Sequence, residues 1–149
     1  MKRKFLSILL TLAMALTLLP TAAMADETPV EAPAETKVAQ IGDVKYDTLQ
    51  AAVDAAPRKA TVKLLADTKE NVTIGTPYVT LDLNGHTLNG STGERKPALT
   101  ITARVTVMDS SEAQTGTIMR EDTAENSGVS SHYVIDVQGS GWLTFEIGR

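Results

Sequence analysis

From Ala60 onward, apolar and polar residues alternate with a period of two. Val62 and Leu64 alternate with Thr61 and Lys63, Val72 and Ile74 with Asn71 and Thr73, and Val79, Leu81 and Leu83 with Thr80, Asp82 and Asn84. The pattern returns in Leu99, Ile101 and Ala103, in Val105 and Val107, in Ile135 and Val137, and in Leu143, Phe145 and Ile147. Period two sends successive side chains to opposite faces of a strand, so each segment predicts a strand with one apolar face. Turn residues separate the segments: Gly75-Thr76-Pro77, Asn84-Gly85, Asn89-Gly90, Gly93, Gly116, Gly128 and Gly139-Ser140-Gly141. The predicted core is Leu49, Val53 and the Val, Ile, Leu and Phe of these alternating segments.

Upstream the pattern changes. Two short apolar runs between Val38 and Tyr46 flank Gly42-Asp43, which predicts a hairpin with a two-residue turn. Leu49, Ala52, Val53 and Ala56 then recur at helical spacing. Asp47 is the expected N-cap, with Gln50 completing a loose capping box, and Pro57 ends the helix at Ala56. A helix of two to three turns is unstable alone and must lie against other structure. No second helix is predicted in the mature chain, so the fold class is all-β.

The first 25 residues are set apart by composition. Lys2, Arg3 and Lys4 precede an apolar run from Phe5 to Leu19, and Ala23-Met24-Ala25 matches an A-x-A cleavage pattern. The run is too short to span a bilayer as a helix, so residues 1–25 read as a secretory signal cut between Ala25 and Asp26. No transmembrane segment is expected in the mature chain, and the location is secreted or cell-surface. Asp26 to Lys37, rich in Pro, Ala and Glu, reads as a disordered spacer. Without Lys2, Arg3 and Lys4, the 14 basic residues fall to 11 against 18 acidic ones, a charge of −7. That balance argues against nucleic acid as a partner. The chain has no cysteine, which excludes a disulfide framework, a thiolate metal site and a Cys nucleophile.

The runs VAQIGDVKYDTLQAAVDAA, ATVKLLADTKENVTI and VTLDLNGHTLNG resemble the N-terminal part of right-handed parallel β-helix proteins of the pectin-lyase-like type. More narrowly, they resemble the large secreted surface proteins of Gram-positive gut bacteria that begin this way. The resemblance covers Val38 to about Leu88, and the rest only by pattern. It implies a short helix over the open N-terminal end of a solenoid, with the following strands as successive rungs from residue 38 to 149. Two later segments, PALTITARVTVMDSS and YVIDVQGSGWLTFEIG, share a strand–break–strand scheme. Leu99, Ile101, Val105 and Val107 align there with Ile135, Val137, Leu143 and Phe145. The sequence stops at Arg149 without a polar cap, which suggests the N-terminal piece of a longer protein.

Candidate chemistry is sparse. His86 and His132 have no partners at zinc-ligand spacing and read as turn or surface residues. Glu121, Asp122 and Glu125 with Asn126, and Asp109 with Glu112, offer oxygen ligands of the kind calcium takes; without an EF-hand pattern, solvated acidic loops fit better. Asp82 and Asn84 share the outward face of one strand, but a single carboxylate makes no acid–base pair. Arg95, Lys96 and Arg104 surround a strand start and read as solvated loop charges. Trp142 lies opposite Leu143 and Phe145 in the alternation and should face outward, where it could stack on a sugar ring. No catalytic or metal-binding motif is present.

The expected function is therefore a non-catalytic, adhesin-like surface module whose partners are glycans or cell-surface proteins. The rivals are the N-terminal part of a polysaccharide lyase or glycoside hydrolase with its active site beyond residue 149, and a complete small secreted binding protein. The secreted protein is expected to begin at Asp26, which the intact mass of the product from culture and cell-wall fractions checks. A product running from Asp26 to Arg149 would replace the longer-protein expectation with the small-protein one.

Overall fold

The computed structural model describes residues 36–121 and 133–146. The expected signal and its expected Ala25–Asp26 cleavage point, most of the expected spacer, Asp122, Glu125, Asn126, Gly128, His132 and Ile147 lie outside the described residues.

The chain opens with β1 (Ala39–Ile41) and β2 (Val44–Tyr46), paired antiparallel with Ile41 opposite Val44. Gly42 takes φ +56° at the turn, a conformation in which a Cβ is disfavoured. The predicted hairpin is thus present. Helix α1 (Leu49–Ala55) follows, then β3 (Thr61–Leu64), β4 (Thr68–Lys69), β5 (Val72–Ile74), β6 (Val79–Asp82), β7 (Thr87–Asn89) and β8 (Leu99–Ile101). Next come β9 (Arg104–Met108), β10 (Thr117–Met119), β11 (Ile135–Val137) and β12 (Trp142–Glu146).

These strands form three sheets: β12-β9-β6-β3-β1-β2, β10-β7-β4 and β11-β8-β5. From β3 onward every pairing is parallel, and the chain visits the three sheets in rotation. One circuit takes 19 residues from Thr61 to Thr80, 26 from Val79 to Val105 and 38 from Arg104 to Trp142. The growth is taken up by loops, because the strands themselves hold register. The four alignments seen between the two later segments are true strand partners: Leu99 with Ile135, Ile101 with Val137, Val105 with Leu143 and Val107 with Phe145.

Parallel register stacks the apolar residues in columns. Val62, Leu81 and Val107 form one, Val72, Leu99 and Ile135 another, and Ile74, Ile101 and Val137 a third. Every predicted core residue from Leu49 through Val107 is buried. Val137 and Phe145 are not, being 44% and 58% exposed. Among the described residues, β11 and β12 each pair on one side only, so their inward side chains have no further layer to cover them. Ala39, Leu88 and Ala98 join the core although the alternation did not mark them.

Helix α1 buries Leu49, Ala52 and Val53 against β1, β2, β3 and β5. Its N-cap is Thr48 rather than Asp47: Thr48 Oγ1 accepts from Ala51 N at 3.1 Å. Asp47 instead accepts from Lys37 Nζ at 2.5 Å. The helix closes one residue early, with Ala56 extended at ψ 119°, as the residue before a proline prefers. Gln50 does not reach back to form a capping box. Its Oε1 accepts from Thr73 N at 2.8 Å and its Nε2 donates to Thr73 O at 3.2 Å. The Gln50 amide thereby takes the place of a neighbouring strand beside β5, which among the described residues has no strand on that side. Glu70 supplies the missing helix cap, accepting from Leu49 N at 2.9 Å and Gln50 N at 3.1 Å.

Position in a column should decide the cost of truncation. Leu81→Ala, fully buried in the middle layer, is expected to destabilise the protein by about 2–5 kcal/mol. Phe145→Ala, on the open end, should cost about 1 kcal/mol at most. Chemical denaturation of the two variants checks the contrast.

Candidate ligand-binding face

The register that stacks the core also stacks what faces out. Thr61, Thr80, Thr106 and Thr144 stand side by side across β3, β6, β9 and β12. Among the described residues, none of their hydroxyls makes a hydrogen bond. Two residues further along each strand lie Lys63, Asp82, Met108 and Glu146.

Two residues in the other direction, Trp142 pairs with Arg104, and Tyr78 N donates to Arg104 O at 2.6 Å, which brings Tyr78 into the same line. The Arg104 guanidinium lies 5.5 Å from the Tyr78 ring centroid and 5.5 Å from that of Trp142. The Arg58 guanidinium lies 4.5 Å from the Tyr78 ring centroid. Contacts therefore link Arg58 to Tyr78, Tyr78 to Arg104 and Arg104 to Trp142. Each contact has cation–π geometry. With strands about 4.8 Å apart, Tyr78 and Trp142 are about 10 Å apart along the column. Tyr78 and Lys59, at the corners before β6 and β3, both adopt positive φ, 66° and 67°.

Trp142 is 61% exposed, on the outward side that alternation predicts. Arg104 is not a loop charge as expected; it is a strand residue held between two rings. Lys96 pairs with Glu94 at 2.6 Å. His86 follows the Asn84-Gly85 turn, its Nδ1 3.4 Å from Asp67.

The carboxylates singled out in the sequence serve corners. Asp82 lies on the outward side but is only 4% exposed, because the next circuit folds over it. Its Oδ1 accepts from Asn84 N at 3.0 Å and Ser110 N at 2.9 Å, and its Oδ2 from Ser110 Oγ at 2.7 Å. Asp109 Oδ1 accepts from Gly85 N at 2.8 Å and Ser111 N at 3.0 Å, and Oδ2 from Gly116 N at 2.6 Å. Both carboxylates hold corners: Asp82 accepts from two turn amides and the Ser110 hydroxyl, and Asp109 from three turn amides. Among the described residues, no group of three or more His, Cys, Asp or Glu gathers in a way that could hold a metal ion. No described helix is long and apolar enough to cross a membrane.

A cleft of about 300 Å³ opens between Leu83, Val107, Ile118, Ile135 and Phe145. Asp109, Gln114 and Glu146 line it as well. Compared with family models, curated proteins and solved structures, the chain finds no match.

Burial pushes the Asp109 pKa up, but the amides of Ser111, Gly116 and Gly85 outweigh it and hold the carboxyl below its ordinary value of 3.8. A folded-state pKa below the unfolded one adds stability above the unfolded value, which is lost as pH falls through the folded value. Asp109→Asn should therefore cost about 1–3 kcal/mol at pH 7 and markedly less near pH 3. Denaturant unfolding at both pH values checks this.

Proposed function

We propose that the chain is a non-catalytic, secreted or cell-surface module of the right-handed parallel β-helix type, adhesin-like, whose outer sheet face contacts glycans or surface proteins. Three sheets visited in rotation by parallel strands support the β-helix reading. The charged n-region, apolar run and A-x-A pattern of residues 1–25 support export. The resemblance to pectin-lyase-like surface proteins points the same way.

The observation that carries the binding role is the column of Tyr78, Arg104 and Trp142 beside four Thr hydroxyls that make no hydrogen bond among the described residues. Aromatic rings offer a flat apolar surface to the C–H face of a sugar, and hydroxyls offer hydrogen bonds at its edge. The non-catalytic part rests on Asp82 and Asp109 being committed to turn amides.

Incubating the secreted chain with a glycan array and with intact cells tests the reading. Binding is expected, and Trp142→Ala should weaken it about tenfold, about 1.4 kcal/mol. Absence of binding to any glycan or cell surface would remove the proposal. New reducing ends or unsaturated products would replace it with a hydrolase or lyase.

A further inference from the structure

We infer that this face docks a proline-rich, acidic segment of a partner protein in the polyproline II conformation, laid across the strands along Tyr78, Arg104 and Trp142. The inference rests on the surface-contact role proposed above and takes its protein arm. Tyr78 and Trp142 are 40% and 61% exposed, and each neighbours Arg104 from an adjacent layer. Both ring centroids lie 5.5 Å from the one guanidinium, so they can be no more than twice that distance apart. Register sets them two strand spacings apart, about 9.6 Å. Tyr78 also holds its corner at φ 66°, a region that disfavours bulky side chains. Asn84 and Gly85 turn another corner of the fold with residues better suited to positive φ. The turn alone therefore does not account for an exposed ring at Tyr78.

Spacing selects the partner's conformation. A polyproline II helix has about three residues per turn and rises about 3.1 Å per residue, so prolines three apart face the same way about 9.3 Å apart. That repeat matches the spacing of the two rings. An extended β-strand repeats on one face about every 6.8 Å and falls out of step with them. Exposed aromatic side chains are what polyproline II segments dock on, and the segment is ordered before it binds.

Hydrogen bonding and charge select its composition. Proline has a carbonyl and no amide N–H, so a proline-rich segment is rich in acceptors and short of donors. The face has the opposite balance. A guanidinium only donates, and the Thr80, Thr106 and Thr144 hydroxyls lie about 7 Å along the strands from the ring column. Among the described residues, neither Arg58 nor Arg104 makes a side-chain hydrogen bond or an ion pair, in a chain with 18 acidic residues against 14 basic ones. Lys59 follows Arg58 in the corner before β3. The acidic residues of the ring-bearing strands, Asp82 and Glu146, stand four positions on from Tyr78 and Trp142, about 13 Å away at strand rise. Lys63 Nζ lies 3.9 Å from Asp82 Oδ2 and offsets that charge. Acidic residues beside the partner's prolines complement the edge that Arg58, Lys59 and Arg104 leave positive.

The test is binding of the secreted chain to immobilised peptides of equal length. Four repeats of Pro-Glu-Ala place a proline at every third position. Three repeats of Pro-Glu-Ala-Ala break that phase, and four repeats of Pro-Lys-Ala reverse the charge. The first should bind at least about tenfold more tightly than either of the others, with affinity falling as salt rises. Trp142 is the chain's one tryptophan, so its emission should shift as the free peptide saturates the protein. Tyr78→Asn, suited to positive φ, and Trp142→Thr, suited to a strand, should each lose about tenfold. Circular dichroism melts confirm folding, and Arg104→Gln reads the same contact should a ring variant fail to fold. Equal binding of the in-phase and out-of-phase peptides would overturn the polyproline assignment, and equal binding of the lysine peptide the acidic one. Affinity unchanged by the substitutions would overturn the site. Binding to glycans or cells without binding to any peptide would overturn the inference and leave the surface module standing. Absence of binding to every peptide, glycan and cell surface would remove that module as well.

Discussion

A parallel ladder sets each residue of one strand beside its equivalent in the next, so a side chain that suits an inward position is required again one layer on. That repetition is what the chain satisfies with Val62, Leu81 and Val107, with Val72, Leu99 and Ile135, and with Val79, Val105 and Leu143. Each fully buried Val, Leu or Ile contributes about 1.5–3 kcal/mol relative to exposure. The same rule acts outside. A Thr placed outward on β3 stands in a row of four, and an aromatic beside an arginine becomes a column. The face proposed to bind a ligand is thus a consequence of how the core is built, not an addition to it.

Stacking leaves two problems: where layers begin, and how the chain turns corners. At the beginning, β1 pairs antiparallel with β3, and β2 closes the sheet with Lys45 exposed on its edge. A lysine on an edge strand discourages further pairing. Among the described residues β5 lacks a strand neighbour on that side, and Gln50 supplies a primary amide in its place. Glu70 then ties the helix start to the first layer from 21 residues away. Corners carry a different chemistry. Asn84 and Gly85 turn with positive φ, and Asp82 and Asp109 gather the turn amides left without sheet partners. A buried unpaired amide costs more than the hydrogen bond would contribute, so these aspartates are structural even though their side chains look chemically active in the sequence.

Two faces were legible in the sequence because strand alternation is a strong signal when Val, Ile and Leu hold one side. The inward set through Val107 and the outward position of Trp142 follow from that alone. The second sheet was not legible. β4, β7 and β10 read Thr-Lys, Thr-Leu-Asn and Thr-Ile-Met, too short for alternation to register, and Leu88 was missed with them. Thr48 and Asp47 are both good caps, and only the backbone at Thr48, φ −133° and ψ 153°, decides between them. Asp82 faces outward by alternation, yet Ser110 from the next circuit buries it. Trp142 was visible, but its neighbours Arg104 and Tyr78 sit one and two strands below it, across circuits of unequal length. The offset of 36 to 38 residues between the two later segments was the one sequence signal that could have led from Trp142 to Arg104.

Unequal circuits have a further consequence for the proposed ligand. Loops grow from one circuit to the next, yet Thr144 still falls beside Thr106 and Trp142 beside Arg104. The spacing of the outer columns is therefore fixed by backbone hydrogen bonds at about 4.8 Å and not by side-chain packing or loop length. Outward residues can change without disturbing the core, because alternation keeps the two faces independent. A surface of this kind holds its contact groups at a fixed repeat before any ligand arrives, so little ordering cost falls on the protein at binding. It suits a partner that is itself periodic. A compact ligand would meet only one or two rungs of the column, whereas an extended polymer can engage every rung and gain from each.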